Sequence, residues 1–522
     1  MRVLVREPIA EAGVALLRER FDVDVDPDSP LEEVIDRYDG IVIRSATRLT
    51  RDLIDRATRL KVIGRAGVGV DNVDVDAATR RGIVVANAPE STVVSAAEQT
   101  IGLIVALARN IPQAHAALKG GRWERSRWNG VELAGKTLGV VGFGRIGQQV
   151  ARRAVGLGMT VLAYDPFVGS ERFRDLGVDR AETLDELLGT AEIVTLHSPL
   201  TDETRSLIDR DTIARMRDGA RLVNAARGAL VDEEALIAAL ESGKLAGAAL
   251  DVFSAEPYEG PLLELDQVIV TPHLAASTDE AQDRAGVIVA EQVVAALDGG
   301  IVSNAVNIPV VDQADLEVLG PFIPLASLLG RVAVALAPGR PQRIVVAAHG
   351  PLSEYDTRLL TAAALNGVFQ DSVDQVVNVV NAPFIAAERG IAVVEERYRA
   401  SRDYTNSVEV TIAADGDEAM VSGTTIGPEP RLFLGGALGF GIDLEIGPHM
   451  VFIRYDDQPG VIGRVGSMFG GAGVNIANMA VSRTKEGGEA LMVFSIDTPA
   501  TAELVDALHD VGFDDVRFVE LG

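Results

Sequence analysis

The 522-residue chain contains no cysteine. That absence excludes a disulfide framework and a thiolate metal site, and no metal is expected. Positive charge is also scarce. Forty-eight Lys and Arg, only five of them lysine, face 76 Asp and Glu, leaving a formal net charge of -28. Such a surface argues against nucleic acid or an anionic membrane as a partner. Long apolar runs are missing as well. The longest, such as 101–108, fall far short of the roughly 20 residues that a membrane span needs. Residues 1–6 (MRVLVR) read as a strand, with no charged-then-apolar leader before it. A soluble, cytoplasmic protein is expected. No repeat of solenoid period is evident.

What remains is the composition of an ordered globular chain, 47% apolar and 24% charged. Its length exceeds what one core can organise, so three or four domains are expected. The acidity poses a problem for any anionic substrate. Salt screens the global field beyond roughly 8 Å, so a local arginine cluster is what such a substrate requires.

Residues 1–95 alternate short apolar runs with polar helical stretches: MRVLV, a helix from Ile9 to Arg20, FDVDV, GIVIR at 40–44 and KVIGRAG at 61–67. Residues 91–109 form an apolar helix with Ser91 or Thr92 as N-cap. From Lys136 the rhythm restarts in TLGVVGFG, MTVLAYD, EIVTLHS, ARLVNAARG, LAGAALDVF and QVIVTPH. These six segments read as a parallel sheet buried on both faces. SNAVNIPVV, near 300–310, is linker-like. Residues 311–447 carry strands such as RIVVAAHG and NSVEVTIAA but no catalytic motif. The last stretch, 449–522, reads as βαββαβ, a ferredoxin-like unit.

LGVVGFGRIG (138–147) places Gly142, Gly144 and Gly147 in a G-x-G-x-x-G after an apolar strand and at a helix start. Gly142 permits the tight turn, Gly144 lets backbone approach a pyrophosphate, and Gly147 allows close helix–sheet packing. Free N–H groups at the helix start then bind phosphate. Asp165 ends the next strand, 165 − 147 = 18 residues past the last glycine. A carboxylate there accepts from the adenine ribose and repels a 2′-phosphate, and no arginine follows it directly, which favours NAD.

Three polar residues stand at strand ends in the second half of this sheet. Arg227 follows RLVNAA, Glu256 follows AALDVFSA, and His273 follows VIVTP. Oxidising a 2-hydroxy acid needs a base for the hydroxyl proton, a cation for the carboxylate, and a hydride acceptor. His273 suits the first task, Glu256 would hold its tautomer, and the Arg227 fork suits the second. Singly, each has an ordinary packing or solvent role. Their joint position on one sheet edge beside a dinucleotide motif selects the catalytic reading.

GRAGVGVDNVD (64–74), VVGFGRIG (140–147), HSPLT (197–201), NAARGALVDEEAL (224–236), ALDVFSAEP (249–257) and TPHLAAST (271–278), in this order, resemble the motifs of the D-2-hydroxyacid dehydrogenase family. The resemblance implies Arg227, Glu256 and His273 as the catalytic set. It further implies cofactor contacts from Arg145, Ile146, Asp165, Ser198, Ala225, Ala226, Arg227, Asp251 and His273, and from Leu274, Ala275 and Ala276 behind it. Val68 departs from the Thr often found there, so a side-chain hydrogen bond to cofactor is lost. His197 is read as structural rather than catalytic. The implied fold class is α/β, with a Rossmann-type doubly wound parallel sheet inserted in a flavodoxin-like substrate domain. The expected domains are 1–95 plus 285–305 for substrate, 96–284 for NAD, 306–447 intervening (α+β), and 448–522 regulatory.

Arg44, with Ser45, ends GIVIR, and Arg65 lies beside the loop with Gly67 and Val68. Two arginines at strand ends of the substrate domain would clamp a phosphate; one solvated arginine and one structural ion pair is the alternative. Arg125 and Arg127 are weaker candidates, able to reach a neighbour's site. Residues 449–522 resemble an ACT domain, an amino-acid-binding module with its site at a helix start and a subunit interface. That resemblance implies serine contacts at Tyr455, Asp457 and Asn475. His349, His449 and Arg454 are further anion candidates, with surface roles favoured. Residues 311–447 resemble the intervening domain of the family's long members. Together these imply NAD-dependent oxidation of 3-phosphoglycerate to 3-phosphooxypyruvate, entry to serine synthesis, with L-serine as effector in a homo-oligomer (dimer or tetramer). A glyoxylate or hydroxypyruvate reductase, or a non-catalytic NAD-sensing corepressor, stands as the alternative.

Overall fold

The computed structural model describes residues 1–309, 313–373, 376–401 and 403–521. The expected linker ends at 310 and 311, outside the described residues. Four sheets organise the chain. The first has five parallel strands, Arg2–Val5, Asp22–Val25, Gly40–Ile43, Val62–Arg65 and Val84–Ala86, in the spatial order second, first, third, fourth, fifth. This is the flavodoxin-like order. The fifth strand is absent from the expected series because three residues carry too little pattern to register. The linker reading is corrected at 306 and 307. The Val306 N–H donates to Val85 O, and the Asn307 amide accepts from Val85 N and donates to Ile83 O, so this stretch is pinned along the edge strand.

The second sheet holds the six expected strands and a seventh, the two-residue Asp179–Arg180, all paired in parallel. Its strands follow the order Val268–Val270, Leu245–Leu250, Ala220–Asn224, Ile193–Leu196, Thr137–Val141, Thr160–Tyr164, Asp179–Arg180. The order reverses between Thr137–Val141 and Ile193–Leu196, which opens a crevice at their carboxyl ends. The preceding helix, Val93–Arg109, follows Thr92, but no side chain caps it. Ser91 instead donates to Ala88 O, and the Arg284 guanidinium holds Ser91 O.

Helix Asp279–Leu297 joins the two sheets. It starts at Thr278, whose hydroxyl accepts from Ala281 N and meets Ser95 Oγ at 2.8 Å. It ends against the first sheet, where Val289, Val293 and Leu297 pack with Val3, Val5, Val42 and Val62. There it crosses helix Glu11–Arg18 with two glycines at the contact: a Cβ on Gly13 would lie 2.5 Å from Gly286 O.

The third sheet has six strands from Pro341–His349 to Phe440–Glu445, antiparallel except where Pro341–His349 meets Ala392–Tyr398. Helices Phe322–Leu336 and Arg358–Phe369 cover one face and lie close because Gly330 and Gly367 present no Cβ to the facing backbone. The fourth sheet is antiparallel, ordered Ile476–Arg483, Glu489–Ile496, His449–Asp456, Asp515–Glu520, the ferredoxin-like arrangement. Helices Val461–Gly471 and Ala502–Asp510 cover one of its faces. The other, with Phe452, Leu491 and Val519, joins the apolar cluster of the third sheet's helices. Among the described residues, no helix is long and apolar enough to cross a membrane.

Gly13→Ala is expected to destabilise the folded chain by about 1–3 kcal/mol through overpacking, read by denaturant unfolding. An unchanged midpoint would contradict the close crossing.

Candidate active site

The glycine motif is built as its three positions require. Gly142 has φ +92°, and a Cβ on it would lie 2.7 Å from Ser198 N, so the loops after two neighbouring strands touch there. Gly147 faces Gly142 O with no room for a side chain. Gly144 alone looks onto open space. It is the N-cap of helix Arg145–Gly156, with no side-chain cap, so the N–H groups at Arg145 and Ile146 are left to a ligand. Arg145 itself pairs with Glu90 at 3.1 Å.

Asp165 ends the neighbouring strand. Its Oδ2 accepts the Phe143 N–H (2.8 Å), inside the glycine loop, and its Oδ1 accepts Phe167 N (2.9 Å). The carboxylate therefore fixes the loop, and its remaining lone pairs suit a ribose diol. The donor set fits a dinucleotide. Ser198 is half-buried beside Gly142, its hydroxyl 3.5 Å from Val141 O. His197 bonds Thr195 Oγ1 through Nε2 at 3.0 Å, and burial pushes its imidazole down to about 4.

At the other end of the sheet, three adjacent strands deliver the catalytic candidates. His273 Nδ1 lies 2.9 Å from Glu256 Oε2, and Phe253 N donates to the other oxygen of Glu256. His273 sits at φ +55°, in the left-handed region. Asp251 holds it there. Fully buried, Asp251 accepts Thr271 Oγ1 (2.5 Å) and Leu274 N (2.8 Å) on one oxygen and Ala275 N (2.8 Å) on the other; its carbonyl accepts His273 N. Its carboxylate, without exposed surface, positions the loop that carries His273. Leu274 and Ala276 are exposed on that loop, while Ala275 is buried. Asn224, which sequence reasoning missed inside the NAARG motif, does the same for Arg227. Its amide accepts Ala226 N and donates to Arg227 O, and its carbonyl accepts Asp251 N, so both loops hang on one pair of strands.

Arg227 reaches across the cleft to the first sheet's loop, 3.5 Å from Asp71. Arg65, on that side, folds over Gly67, and its Nε is buried without a partner. Burial pushes its guanidinium down, as do the charges of Arg227 and Arg44, while Asp71 and Glu7 push it up. Arg44 donates through Nη1 only to Pro8 O, at 3.3 Å. Its loop is held by Glu7, a second residue missed, whose carboxylate accepts the N–H groups of Arg44, Ala46 and Thr47. Burial pushes that carboxyl up, but these bonds together hold it below its ordinary value. Ser45 is exposed beside them, and Val68 is half-buried with its carbonyl accepting Asn87 Nδ2. Arg127 pairs with Asp266 of its own chain at 2.6 Å, and both it and Arg125 are exposed.

The tail residues are not brought together in one chain. Asp457 is held by Arg483 (2.8 Å), next to the Glu489 end of strand Glu489–Ile496. Asn475 bonds Asp497 (2.7 Å) at the other end, on the order of 20 Å away at about 3.3 Å per residue. Tyr455 meets Phe513 edge-on, and burial pushes its phenol up. Among the anion candidates, Arg454 is neutralised by Glu489 (2.9 Å), whereas His349 stacks on Tyr398 and His449 begins a different strand.

Two measurements check this geometry. Asp165→Ala is expected to weaken NAD binding about tenfold or more, the scale of a charged hydrogen bond; unchanged affinity would refute the assignment. His197 takes up its proton only near pH 4 when folded but near 6.5 when unfolded. Its contribution to stability is therefore lost as pH falls through that window. Its NMR ring signals should stay those of neutral imidazole until about pH 4, and a midpoint near 6.5 would contradict its burial.

Residues 101–275 match the D-isomer specific 2-hydroxyacid dehydrogenase NAD binding domain, 318–433 the D-3-phosphoglycerate dehydrogenase intervening domain, and 449–513 the ACT domain. The chain is 42% identical to D-3-phosphoglycerate dehydrogenase of Archaeoglobus fulgidus over 100% of both chains, and 40% identical to that of Bacillus subtilis over 98% and 97%. Among solved structures, it resembles a D-lactate dehydrogenase of Aquifex aeolicus complexed with NAD and lactic acid. There the identity is 30% and the TM-score 0.52, covering 59% of this chain and 99% of that one. The chain belongs to the D-3-phosphoglycerate dehydrogenases of the D-2-hydroxyacid dehydrogenase family, in the long form with intervening and ACT domains.

Proposed function

We propose that the chain catalyses NAD-dependent oxidation of 3-phosphoglycerate to 3-phosphooxypyruvate, the first step of the phosphorylated route to serine. The observation that carries this reading is the His273–Glu256 pair beside Arg227, which reaches across the cleft to the loop that follows Arg65. NAD, when bound over Gly144 and Asp165, supplies the hydride acceptor. Arg227 takes the substrate carboxylate in a bidentate grip, and Arg44 and Arg65 take the phosphate. His273 Nε2 receives the C2 hydroxyl proton while Glu256 on Nδ1 stabilises the imidazolium. Asp251 positions His273 through the loop.

In this reading residues 1–95 and 285–305 form the substrate domain, 96–284 the NAD domain, 306–447 the intervening domain and 448–522 the regulatory one. The cleft between the first two closes over substrate. Serine binding at Asp457 and Asn475 needs two copies of the chain, since one chain holds them apart. A homo-oligomer is therefore part of the proposal, as is a cytoplasmic setting.

Arg65→Ala is expected to cut kcat/KM for 3-phosphoglycerate by about a hundredfold, the loss of a charge-assisted contact of roughly 1.5–3 kcal/mol, and to leave glyoxylate reduction nearly unchanged. Equal losses would favour the reductase reading, to which the 31% identity with a glyoxylate reductase of Paecilomyes thermophila lends weight. L-serine should inhibit the full chain and not a truncation at residue 305; inhibition of both would overturn the regulatory part.

A further inference from the structure

We propose that Asp71 stands in for the substrate carboxylate at Arg227 and gives the guanidinium up on binding. This rests on the assignment of Arg227 to the substrate carboxylate. The two residues come from opposite sides of the cleft, Asp71 from the loop after Val62–Arg65 and Arg227 from the loop after Ala220–Asn224. Asp71 Oδ2 lies 3.5 Å from Arg227 Nε, and no other ion pair involves either side chain among the described residues.

The backbone between them is shaped for the meeting. A Cβ at Gly69 would collide with Arg227 Nη2 and lie 2.6 Å from Asp71 Oδ2, so the two side chains meet directly over this glycine and a larger residue there would displace one of them. The contact is also made to be given up. At 3.5 Å it is a charge pair rather than a hydrogen bond, and the Asp71 side chain is 72% exposed. A substrate carboxylate offers Arg227 two parallel hydrogen bonds in its place. The displaced side chain has somewhere to go: Asp71 also lines a shallow depression of about 440 Å³ that includes Arg48 and Arg51. Glu7, the other carboxylate in this neighbourhood, cannot serve, because three backbone N–H groups occupy it.

A ligand that must first displace an internal occupant binds more weakly by the inverse of the unoccupied fraction. An exposed pair of this kind corresponds to about a twofold to fivefold effect. In the full chain with NAD, Asp71→Asn should lower KM for 3-phosphoglycerate by about that factor. It should lower the inhibition constant of oxamate, a carboxylate without phosphate, by the same factor and leave kcat within about twofold. Asp52→Asn, which removes the same charge from the same depression, should change neither.

A fall in kcat would overturn the proposal by making Asp71 an aligner of Arg227 during reaction. An unchanged or raised KM would overturn it by showing that nothing is displaced. An equal effect of Asp52→Asn would assign the change to the general field. Failure of the unaltered chain to oxidise 3-phosphoglycerate would instead sink the functional reading, so the two failures are separable.

Discussion

Burial of the Asp251 carboxylate constrains the rest of the site. A carboxylate with no access to water is tolerated only when its oxygens are fully engaged, and here the partners are all on one short loop: Thr271, Leu274 and Ala275. Satisfying that charge forces the chain to wrap around it and holds His273 in a left-handed conformation that a free loop would leave. The imidazole then lies against Glu256, which is itself anchored by Phe253 N. Asn224 extends the scheme to Arg227 through the neighbouring strand. The reactive geometry is thus the surface expression of a buried polar network.

The second constraint is electrostatic. In the proposed reading a chain with net charge -28 takes an anionic substrate, which calls for local geometry rather than overall potential. Arg65 keeps an unpartnered Nε out of solvent, an arrangement that costs stability without a ligand. Such a cost at one point of the cleft is what a specific anion would repay. Glu7 shapes the loop that carries Arg44 by accepting its backbone N–H groups, and its charge offsets part of the repulsion between the guanidiniums at Arg65.

Much of this was legible beforehand. The glycine motif, Asp165 and the His273–Glu256 pair were readable because each chemistry imposes a residue type at a fixed place on a strand–turn–helix unit. Asp251 was found as a motif position, but its bonds to the His273 loop were not, because a motif does not reveal which backbone groups an oxygen will face. Asn224 and Glu7 went unseen for the same reason: their work is hydrogen bonding to backbone that only folding brings near. Strands Val84–Ala86 and Asp179–Arg180 escaped because they are short and owe their pairing to neighbours. The span between Asp457 and Asn475 is a matter of topology, visible only once the strand order was known.

The central claim is that His273, held on the Asp251 loop against Glu256, receives the substrate proton. Single-turnover formation of NADH from 3-phosphoglycerate, comparing the unaltered chain with His273→Asn at saturating NAD, tests it most directly. The account predicts a loss of about 10²–10⁴-fold in the rate of that turnover, with NAD affinity retained. A His273→Asn chain that turns over within a few-fold of the unaltered rate would contradict it.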